Sequence, residues 1–172
     1  MQRLAVIVLA AGKGVRMKSD LPAGRHGLPK VFHKILGEPM LSYVLQTVKA
    51  LQPDQTLVVV GHQRELIRDY YKDWPVKFVV QAEQLGTGHA VAQAKPFLAD
   101  FKGTVLVLAG DVPLLSAKTL RSLLDFHLQN KAAVTDLTAI LPDAGNYGRI
   151  VRNAKGDILK IVEKKDASPE EL

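Results

Sequence analysis

A glycine-rich segment near the N-terminus has the residue types of an anion-binding turn. Leu9–Gly14 reads LAAGKG, and the cations Arg16 and Lys30 follow it. Glycine lets backbone N–H groups approach an anion closely, and the two cations can neutralise its charge. A dinucleotide fingerprint is excluded because it needs glycine or alanine where Met17 stands, and a P-loop is excluded because Gly-Lys-Ser/Thr is missing. The segment predicts a phosphate-binding turn, with a plain tight turn as the alternative.

A carboxylate follows a second apolar run. Asp111 comes directly after Gly110, at the end of the run TVLVLA over residues 104–109. Beside a phosphate site, Mg²⁺ is commonly held by one or two carboxylates together with phosphate and water oxygens. The alternative is that Asp111 caps the turn through Pro113. The glycine-and-cation segment favours the metal over the cap.

A third segment has the features of a base-reading loop. Residues 81–90 read QAEQLGTGHA. The amide of Gln81 carries both a donor and an acceptor, as recognition of a base edge requires. Gly86 and Gly88 permit close backbone approach, and Thr87 is predicted to cap the next helix. A well-formed helix start without any ligand is the alternative.

Positive charge is concentrated near the N-terminus. Residues 1–34 hold seven Lys or Arg and one acid, whereas the remaining 138 residues hold 16 bases and 16 acids. A nucleic-acid surface more often spreads its basic patch over several elements. Charge confined to one segment indicates a compact polyanion such as a triphosphate and argues against a nucleic-acid partner. A merely solvated basic loop is the alternative.

Composition excludes several other classes of protein. The chain has 172 residues and no cysteine, so disulfides and thiolate metal sites are excluded and a cytosolic setting is expected. No apolar run approaches the ~20 residues of a membrane span. No nucleophile elbow or Ser/His/Asp set is present, so covalent catalysis has no candidate. The histidines lack metal-ligand spacing and are interpreted as structural or surface residues: His26, His33, His62, His89 and His127.

Apolar runs alternate with helical patterns along the chain, which predicts an α/β fold with a mainly parallel sheet in three layers. Strands are predicted at 4–11, 57–60, 76–80, 105–108, 134–141, 150–152 and 158–162, and helices at 40–51, 63–72, 87–98 and 117–129, the last capped by Ser116. A buried strand explains residues 4–11 better than a short signal-peptide core does. Ligands of such sheets bind beyond the carboxyl ends of the strands, where the three segments above lie.

Five motifs occur in order along almost the whole chain: LAAGKGVRM…LPKVFHKILGEPML, QAEQLGTGHAV, LAGDVPLL, YGRIVR and IVEKKDA. Together they closely resemble the uridyltransferase domain of the bifunctional N-acetylglucosamine-1-phosphate uridyltransferase/glucosamine-1-phosphate acetyltransferase family. The first motif is typical of sugar nucleotidyltransferases generally, and the second is more specific. The resemblance implies a Rossmann-like nucleotide-diphospho-sugar transferase fold. It also implies a Mg²⁺-dependent cytoplasmic enzyme that makes UDP-N-acetylglucosamine and pyrophosphate from UTP and N-acetylglucosamine 1-phosphate, for peptidoglycan and lipopolysaccharide synthesis.

The resemblance also implies roles for individual residues. On this basis the nucleotide is lined by Leu9, Ala10, Ala11 and Gly12, with Ala109 and Gly110 beside it, and uracil is read by Gln81, Gly86 and Thr87. The phosphates are held by two catalytic residues, Arg16 and Lys30, and Mg²⁺ is bound by Asp111. The sugar is faced by Gly148 and Glu163.

The sequence departs from this family in three places. Val15 replaces the usual Thr or Ser. The pair Leu-Pro occurs twice before Lys30, so either Ala23–Pro29 or Leu21–Gly27 is an extra segment, predicted to form a solvent-exposed flap. The chain stops at Leu172, before a family segment with an Asn metal ligand. We expect residues 1–172 to be one uridyltransferase domain that is incomplete at its C-terminus and lacks the acetyltransferase β-helix, and that binds UTP but has low transfer activity. The chain is expected to be a monomer and the full-length family member a homotrimer.

Two other functions stay open on sequence grounds. The extra segment and Val15 are consistent with a degenerate domain that binds nucleotide without catalysis. A sibling sugar-1-phosphate nucleotidyltransferase would use another nucleotide or sugar.

Overall fold

A computed structural model describes residues 3–12, 28–61 and 63–171. They divide into two compact units, residues 1–131 and residues 132–172. The expectation that residues 1–172 form a single incomplete domain stays a prediction. None of the described helices is long and apolar enough to cross a membrane.

The first unit contains the strands and helices predicted there, in the predicted order, and also two short strands at residues 34–35 and 38–39 that the sequence patterns do not predict. Its strands are β1 (Leu4–Ala10), β2 (Lys34–Ile35), β3 (Glu38–Pro39), β4 (Gln55–Val60), β5 (Lys77–Val80) and β6 (Thr104–Ala109), and its helices are α1 (Met40–Ala50), α2 (Arg64–Tyr70), α3 (Thr87–Gln93) and α4 (Ala117–Gln129). Short 3₁₀ helices span Lys30–Phe32 and Lys95–Leu98. β2 and β3 form a separate two-stranded antiparallel ribbon.

Four strands form one parallel sheet in the order β5-β4-β1-β6. On one face, alternate residues such as Val6 and Val8 pack in a core with α1, α2 and α4; on the other, Ile7 packs with α3. β1 is therefore apolar on both faces, as an interior parallel strand must be, and its side chains from Ala5 to Val8 are at most 1% exposed. The three-layer α/β Rossmann-like prediction is confirmed.

An aromatic cluster anchors the 3₁₀ helix that begins at Lys30. The ring of Phe32 meets the rings of Tyr70 and Tyr71 edge to face, and Trp74 packs on Tyr71. The fully buried hydroxyl of Tyr71 lies 2.9 Å from that of Ser42, and burial raises the pKa of Tyr71 to about 12. Buried aromatic packing of this kind holds the 3₁₀ helix, and therefore Lys30, in place.

Two predicted helix boundaries had different outcomes. Ser116 caps α4 as predicted, since its hydroxyl accepts the N–H of Thr119 at 3.1 Å. The prediction that Thr87 caps α3 is wrong: Thr87 is the first helical residue, and Gly86 precedes it with φ of +102° and no side-chain cap. The backbone before this helix has a conformation that residues other than glycine rarely adopt.

The second unit contains one hairpin, β7 (Arg149–Arg152) and β8 (Ile158–Val162), with short 3₁₀ helices at Lys164–Asp166 and Pro169–Glu171. The strand predicted at residues 134–141 is wrong, because this stretch has no regular secondary structure. A segment of alternating polarity forms a strand only where a neighbouring strand can hydrogen-bond with it and an apolar surface can pack against its apolar side chains. Here Val134 is 85% exposed and Ile140 is fully exposed, so the apolar positions find neither.

Candidate functional site

Strand order places the candidate site beside β1. The chain runs from β1 outward to β4 and β5, then returns to place β6 on the opposite side of β1. In an open parallel sheet, the loops leaving two such neighbouring strands diverge to opposite faces and leave a crevice at their carboxyl ends. The register pairs Leu9 with Ala109, so Gly12 and Asp111 follow the ends of neighbouring strands.

A pocket of about 320 Å³ occupies this crevice and extends towards the end of β5. Its lining contains ten of the residues proposed from the family resemblance, together with Val31, Gln84 and Ala90: Leu9, Ala10, Ala11, Gly12, Lys30, Gln81, Gly86, Thr87, Ala109 and Asp111. Three strand-end segments, at residues 9–12, 81–90 and 109–111, therefore meet in one cavity, which Lys30 and Val31 also line. The sheet brings them together because parallel strands end at the same edge.

One side of the pocket carries an ion pair. Lys30 Nζ donates to Asp111 Oδ2 across 81 positions of sequence. Pro29 holds the N-cap position of the 3₁₀ helix, and its carbonyl accepts the N–H of Phe32 at 2.8 Å. Val31 and Phe32 are buried, whereas the Lys30 side chain is 43% exposed and the Asp111 side chain 28% exposed. Both charges therefore remain accessible to a ligand.

Gly110 determines how closely the end of β6 approaches β1. Its N–H donates to the carbonyl of Leu9 at 2.9 Å. A Cβ added at Gly110 would lie 2.8 Å from that same carbonyl oxygen and 3.2 Å from Val31 Cγ1. Because only glycine fits between these atoms, it sets the position of the neighbouring Asp111 carboxylate.

The other side of the pocket carries a hydrogen-bonded amide. Gln81 is only 3% exposed, and its Nε2 lies 3.2 Å from the carbonyl oxygen of Gly86 and 3.0 Å from His89 Nδ1. The second ring nitrogen of His89 lies 3.0 Å from Gln93 Nε2. The buried amide is thus fixed by neighbours on the first turn of α3. From the sequence, His89 was interpreted as a structural or surface residue; its position eight residues after Gln81, on the first turn of a predicted helix, was the available signal.

Asp111 fits a Mg²⁺ site that a bound phosphate would complete. Residues 3–12, 28–61 and 63–171 contain no group of three or more His, Cys, Asp or Glu that could hold a metal by itself. Mg²⁺ usually retains water and takes one or two carboxylates plus substrate phosphates rather than an all-protein cage. The accessible Asp111 carboxylate matches that requirement. Among the described residues, its side chain is seen to hydrogen-bond with Lys30 and not with the following turn, so the turn-capping alternative is not observed there.

The other residues singled out in the sequence fall into two groups. Arg16, Val15 and most of the predicted flap fall outside the described residues. Gly148 and Glu163 belong to the second unit, where they flank the paired residues Arg149 and Val162 of the hairpin.

A larger depression, of about 670 Å³, lies at the amino ends of β4 and β5. Its Arg3 and Asp54 form an ion pair with 3.3 Å between Nε and Oδ1. The backbone N–H of Leu4, and then Arg3, hold the pKa of Asp54 below its usual range. These charged groups already satisfy each other, and the strands' carboxyl ends face away, so we place the functional site at the smaller pocket.

Curated relatives match nearly all of the chain. Bifunctional protein GlmU of Brevibacillus brevis is 50% identical over 171 residues, which is 99% of this chain and 35% of that protein. Bifunctional protein GlmU of Streptococcus gordonii is 50% identical over 94% of this chain and 34% of its own length. The chain therefore spans about a third of these relatives. The matches confirm the resemblance drawn from the motifs.

Solved structures share the fold at lower identity. HddC from Yersinia pseudotuberculosis, complexed with GMP-PN, superposes with a TM-score of 0.66 at 22% identity, covering 95% of this chain and 70% of that one. Rv0371C from Mycobacterium tuberculosis, in complex with manganese, has a TM-score of 0.53 at 21% identity, covering 73% and 59%. The family described as the MobA-like NTP transferase domain matches residues 6–149, a span that includes every residue lining the candidate pocket. The chain belongs to the MobA-like NTP transferase domain family.

Proposed function

We propose that this chain transfers UMP from UTP to N-acetylglucosamine 1-phosphate, giving UDP-N-acetylglucosamine and pyrophosphate. The observation that carries the proposal is the pocket itself, which has a buried amide on one side and the Lys30–Asp111 pair on the other. A nucleotide has a matching arrangement of groups, with a hydrogen-bonding base at one end and charged phosphates at the other. The 50% identity to proteins called Bifunctional protein GlmU supports this choice of substrates.

The chemistry needs alignment and charge neutralisation rather than a general base. An oxygen of the sugar phosphate, already anionic, attacks the α-phosphorus of UTP. The new P–O bond forms as the bond from the α-phosphorus to the β-bridging oxygen breaks, and pyrophosphate leaves with that electron pair. Lys30, which is accessible at the rim of the pocket, stabilises negative charge on the phosphates, and Arg16 is proposed to do the same.

Asp111 would hold Mg²⁺ in this scheme. The bound ion would supply charge neutralisation on the triphosphate and on the departing pyrophosphate. The close approach of Gly110 to Leu9 keeps the Asp111 carboxylate within reach of Lys30. We propose the backbone of Gly12, with the neighbouring Leu9, Ala10, Ala11 and Ala109, as the surface along the nucleotide.

The remaining assignments are part of the same proposal. Gln81, Gly86 and Thr87 contact the base, and Gly148 and Glu163 of the second unit contact the sugar. The product would serve as a cytoplasmic precursor of peptidoglycan and lipopolysaccharide.

The test combines nucleotide binding with turnover. Titration calorimetry with UTP and Mg²⁺ measures binding, and pyrophosphate release with N-acetylglucosamine 1-phosphate measures transfer. Asp111→Asn should lower the transfer rate at least about tenfold, the equivalent of about 1.4 kcal/mol in activation free energy, because a neutral amide is a weaker Mg²⁺ ligand than a carboxylate. Asp69→Asn is the matched control, because Asp69 is an exposed carboxylate on α2 outside the pocket lining.

Each outcome distinguishes the candidate functions. UTP binding with pyrophosphate release, reduced in Asp111→Asn and normal in Asp69→Asn, supports the proposal. UTP binding without release, also in a chain extended past residue 172, assigns a nucleotide-binding module instead. Preference for another nucleotide or sugar in a competition series assigns a sibling transferase. No nucleotide binding at all contradicts the proposal entirely.

A further inference from the structure

We infer that His89 is a positioning residue that fixes the Gln81 carboxamide so that the pocket presents a hydrogen-bond acceptor to the base. Such a pocket selects a base with an N–H donor at the reading position, as uracil has, over one with a bare ring nitrogen there, as cytosine has. The inference rests on the proposed function, because it concerns recognition in the same pocket.

The direction of the Gln81 amide follows from the chemistry of its neighbours. The oxygen and nitrogen of a glutamine amide exchange places when the group rotates by 180°, so partners must decide between them. The Gly86 carbonyl, 3.2 Å away, can only accept, so the Gln81 NH₂ group must face it. That carbonyl is held in place, since it also accepts the N–H of Ala90 at 3.1 Å.

The second hydrogen of the Gln81 NH₂ group determines which ring nitrogen of His89 carries a proton. It points to His89 Nδ1 at 3.0 Å, and this ring nitrogen must therefore be an acceptor. A neutral imidazole with an accepting Nδ1 carries its proton on Nε2. Both hydrogens of Gln81 are then used, and its Oε1 is left as the group that can meet a ligand in the pocket.

Gln93 provides a competing arrangement. Its Nε2 lies 3.0 Å from His89 Nε2 and 3.3 Å from the His89 carbonyl, which would suit a proton on Nδ1 instead. That tautomer would turn Gln81 around, and the Gln81 oxygen would face the Gly86 carbonyl without a hydrogen bond. Gln81 is 3% exposed, so water cannot relieve the contact, whereas Gln93 is only half-buried and can rotate its oxygen towards His89 Nε2. Leaving the buried Gln81 oxygen unpaired costs more free energy than rotating the half-buried Gln93 amide. The arrangement in which His89 Nδ1 accepts a hydrogen bond is therefore the favoured one.

This arrangement has a direct consequence for base choice. The Gln81 oxygen accepts the N3–H of uracil, whereas N3 of cytosine is itself an acceptor and would face that oxygen without a hydrogen. A site built to bond a donor rejects analogues that lack it because its buried acceptor is left unpaired. His89 determines this choice without touching the base.

The test compares two substitutions of His89. Leucine removes the Nδ1 acceptor, whereas asparagine retains an amide oxygen close to the position of Nδ1. His127→Leu, a histidine of α4 outside the pocket lining, is the control. The dissociation constants for UTP and CTP are measured with Mg²⁺ for each protein, so that the readout is their ratio rather than activity alone.

We expect wild type and His127→Leu to prefer UTP. In His89→Leu the ratio should fall at least about tenfold, the equivalent of about 1.4 kcal/mol. In His89→Asn it should stay within about threefold of wild type. If wild type prefers UTP but His89→Leu leaves the ratio unchanged, the inference is wrong and the proposed function stands. If wild type prefers CTP or binds neither nucleotide, the proposed function itself fails.

A measurement on the wild-type protein covers the case in which His89→Leu does not fold. Long-range ¹H–¹⁵N NMR correlations of the imidazole report its tautomer. A proton on Nε2 supports the inference, and a proton on Nδ1 overturns it.

Discussion

Gly110→Ala tests whether one close backbone contact positions the site. The added Cβ would lie 2.8 Å from Leu9 O, 3.2 Å from Val31 Cγ1 and 3.3 Å from Leu41 Cδ1, whereas ordinary contact begins near 3.4 Å. The deficit of 0.6 Å towards Leu9 is the decisive one, because a backbone oxygen within a sheet cannot rotate away. Relief requires the end of β6 to move from β1. Overpacking of this kind costs about 1–3 kcal/mol, and we expect that loss in the free energy of unfolding.

Gly12→Ala is the matched control for this substitution. Gly12 lies at the end of the neighbouring strand β1 and lines the same pocket, but a Cβ there would meet nothing within 4 Å. We expect its free energy of unfolding to stay within about 0.5 kcal/mol of wild type.

Urea unfolding measures both variants. Trp74 is the single tryptophan and packs against Tyr71 in the core of the first unit, so its fluorescence follows that unit. Gly110→Ala should also weaken UTP binding, because Asp111 moves with the displaced strand end. If Gly110→Ala is as stable as Gly12→Ala and binds UTP normally, the close approach does not position the site.

Three further substitutions separate stability from function. Lys30→Met should change the free energy of unfolding by less than about 1 kcal/mol, because its pair with Asp111 is partly solvated, yet weaken UTP binding about tenfold or more in calorimetry; equal binding would exclude a phosphate-binding role for Lys30. Tyr71→Phe should cost about 1–2 kcal/mol at neutral pH by leaving the buried Ser42 hydroxyl unpaired. Since the pKa of Tyr71 is raised to about 12, wild type should also lose stability as the pH rises from about 10, where an unfolded tyrosine ionises, to about 12, and urea midpoints of Tyr71→Phe should lack that component. Ser116→Ala should lower the free energy of unfolding by about 1 kcal/mol through loss of the α4 cap, and an unchanged urea midpoint would argue against the cap.

The helices and the parallel strands of the first unit could be predicted because their signals are local, whereas the two-residue strands β2 and β3 are too short to leave such a signal. The run at residues 4–10 is apolar at every position, as a strand covered on both faces must be, and Ser116 has the hydroxyl that an exposed helix start needs. The failure at residues 134–141 has the opposite cause. Alternating polarity indicates which side chains a strand would bury, but a strand also needs a neighbouring strand to hydrogen-bond with. Here Val134 and Ile140 face solvent. The local pattern of polar and apolar residues does not show which other strand, if any, will pair with a segment.

The sequence by itself determined the types of residue available for chemistry and the strand ends on which they lie. Only the tertiary structure decided which of them meet. Lys30 and Asp111 are 81 positions apart, and they pair because β6 returns to the side of β1 opposite β4. The direction of the Gln81 amide depends on a carbonyl oxygen and a ring nitrogen in the first turn of α3, and the spacing of Asp111 from β1 depends on the missing Cβ of Gly110. Distances and hydrogen-bond directions of this kind arise from packing between distant segments, which residue order alone does not specify.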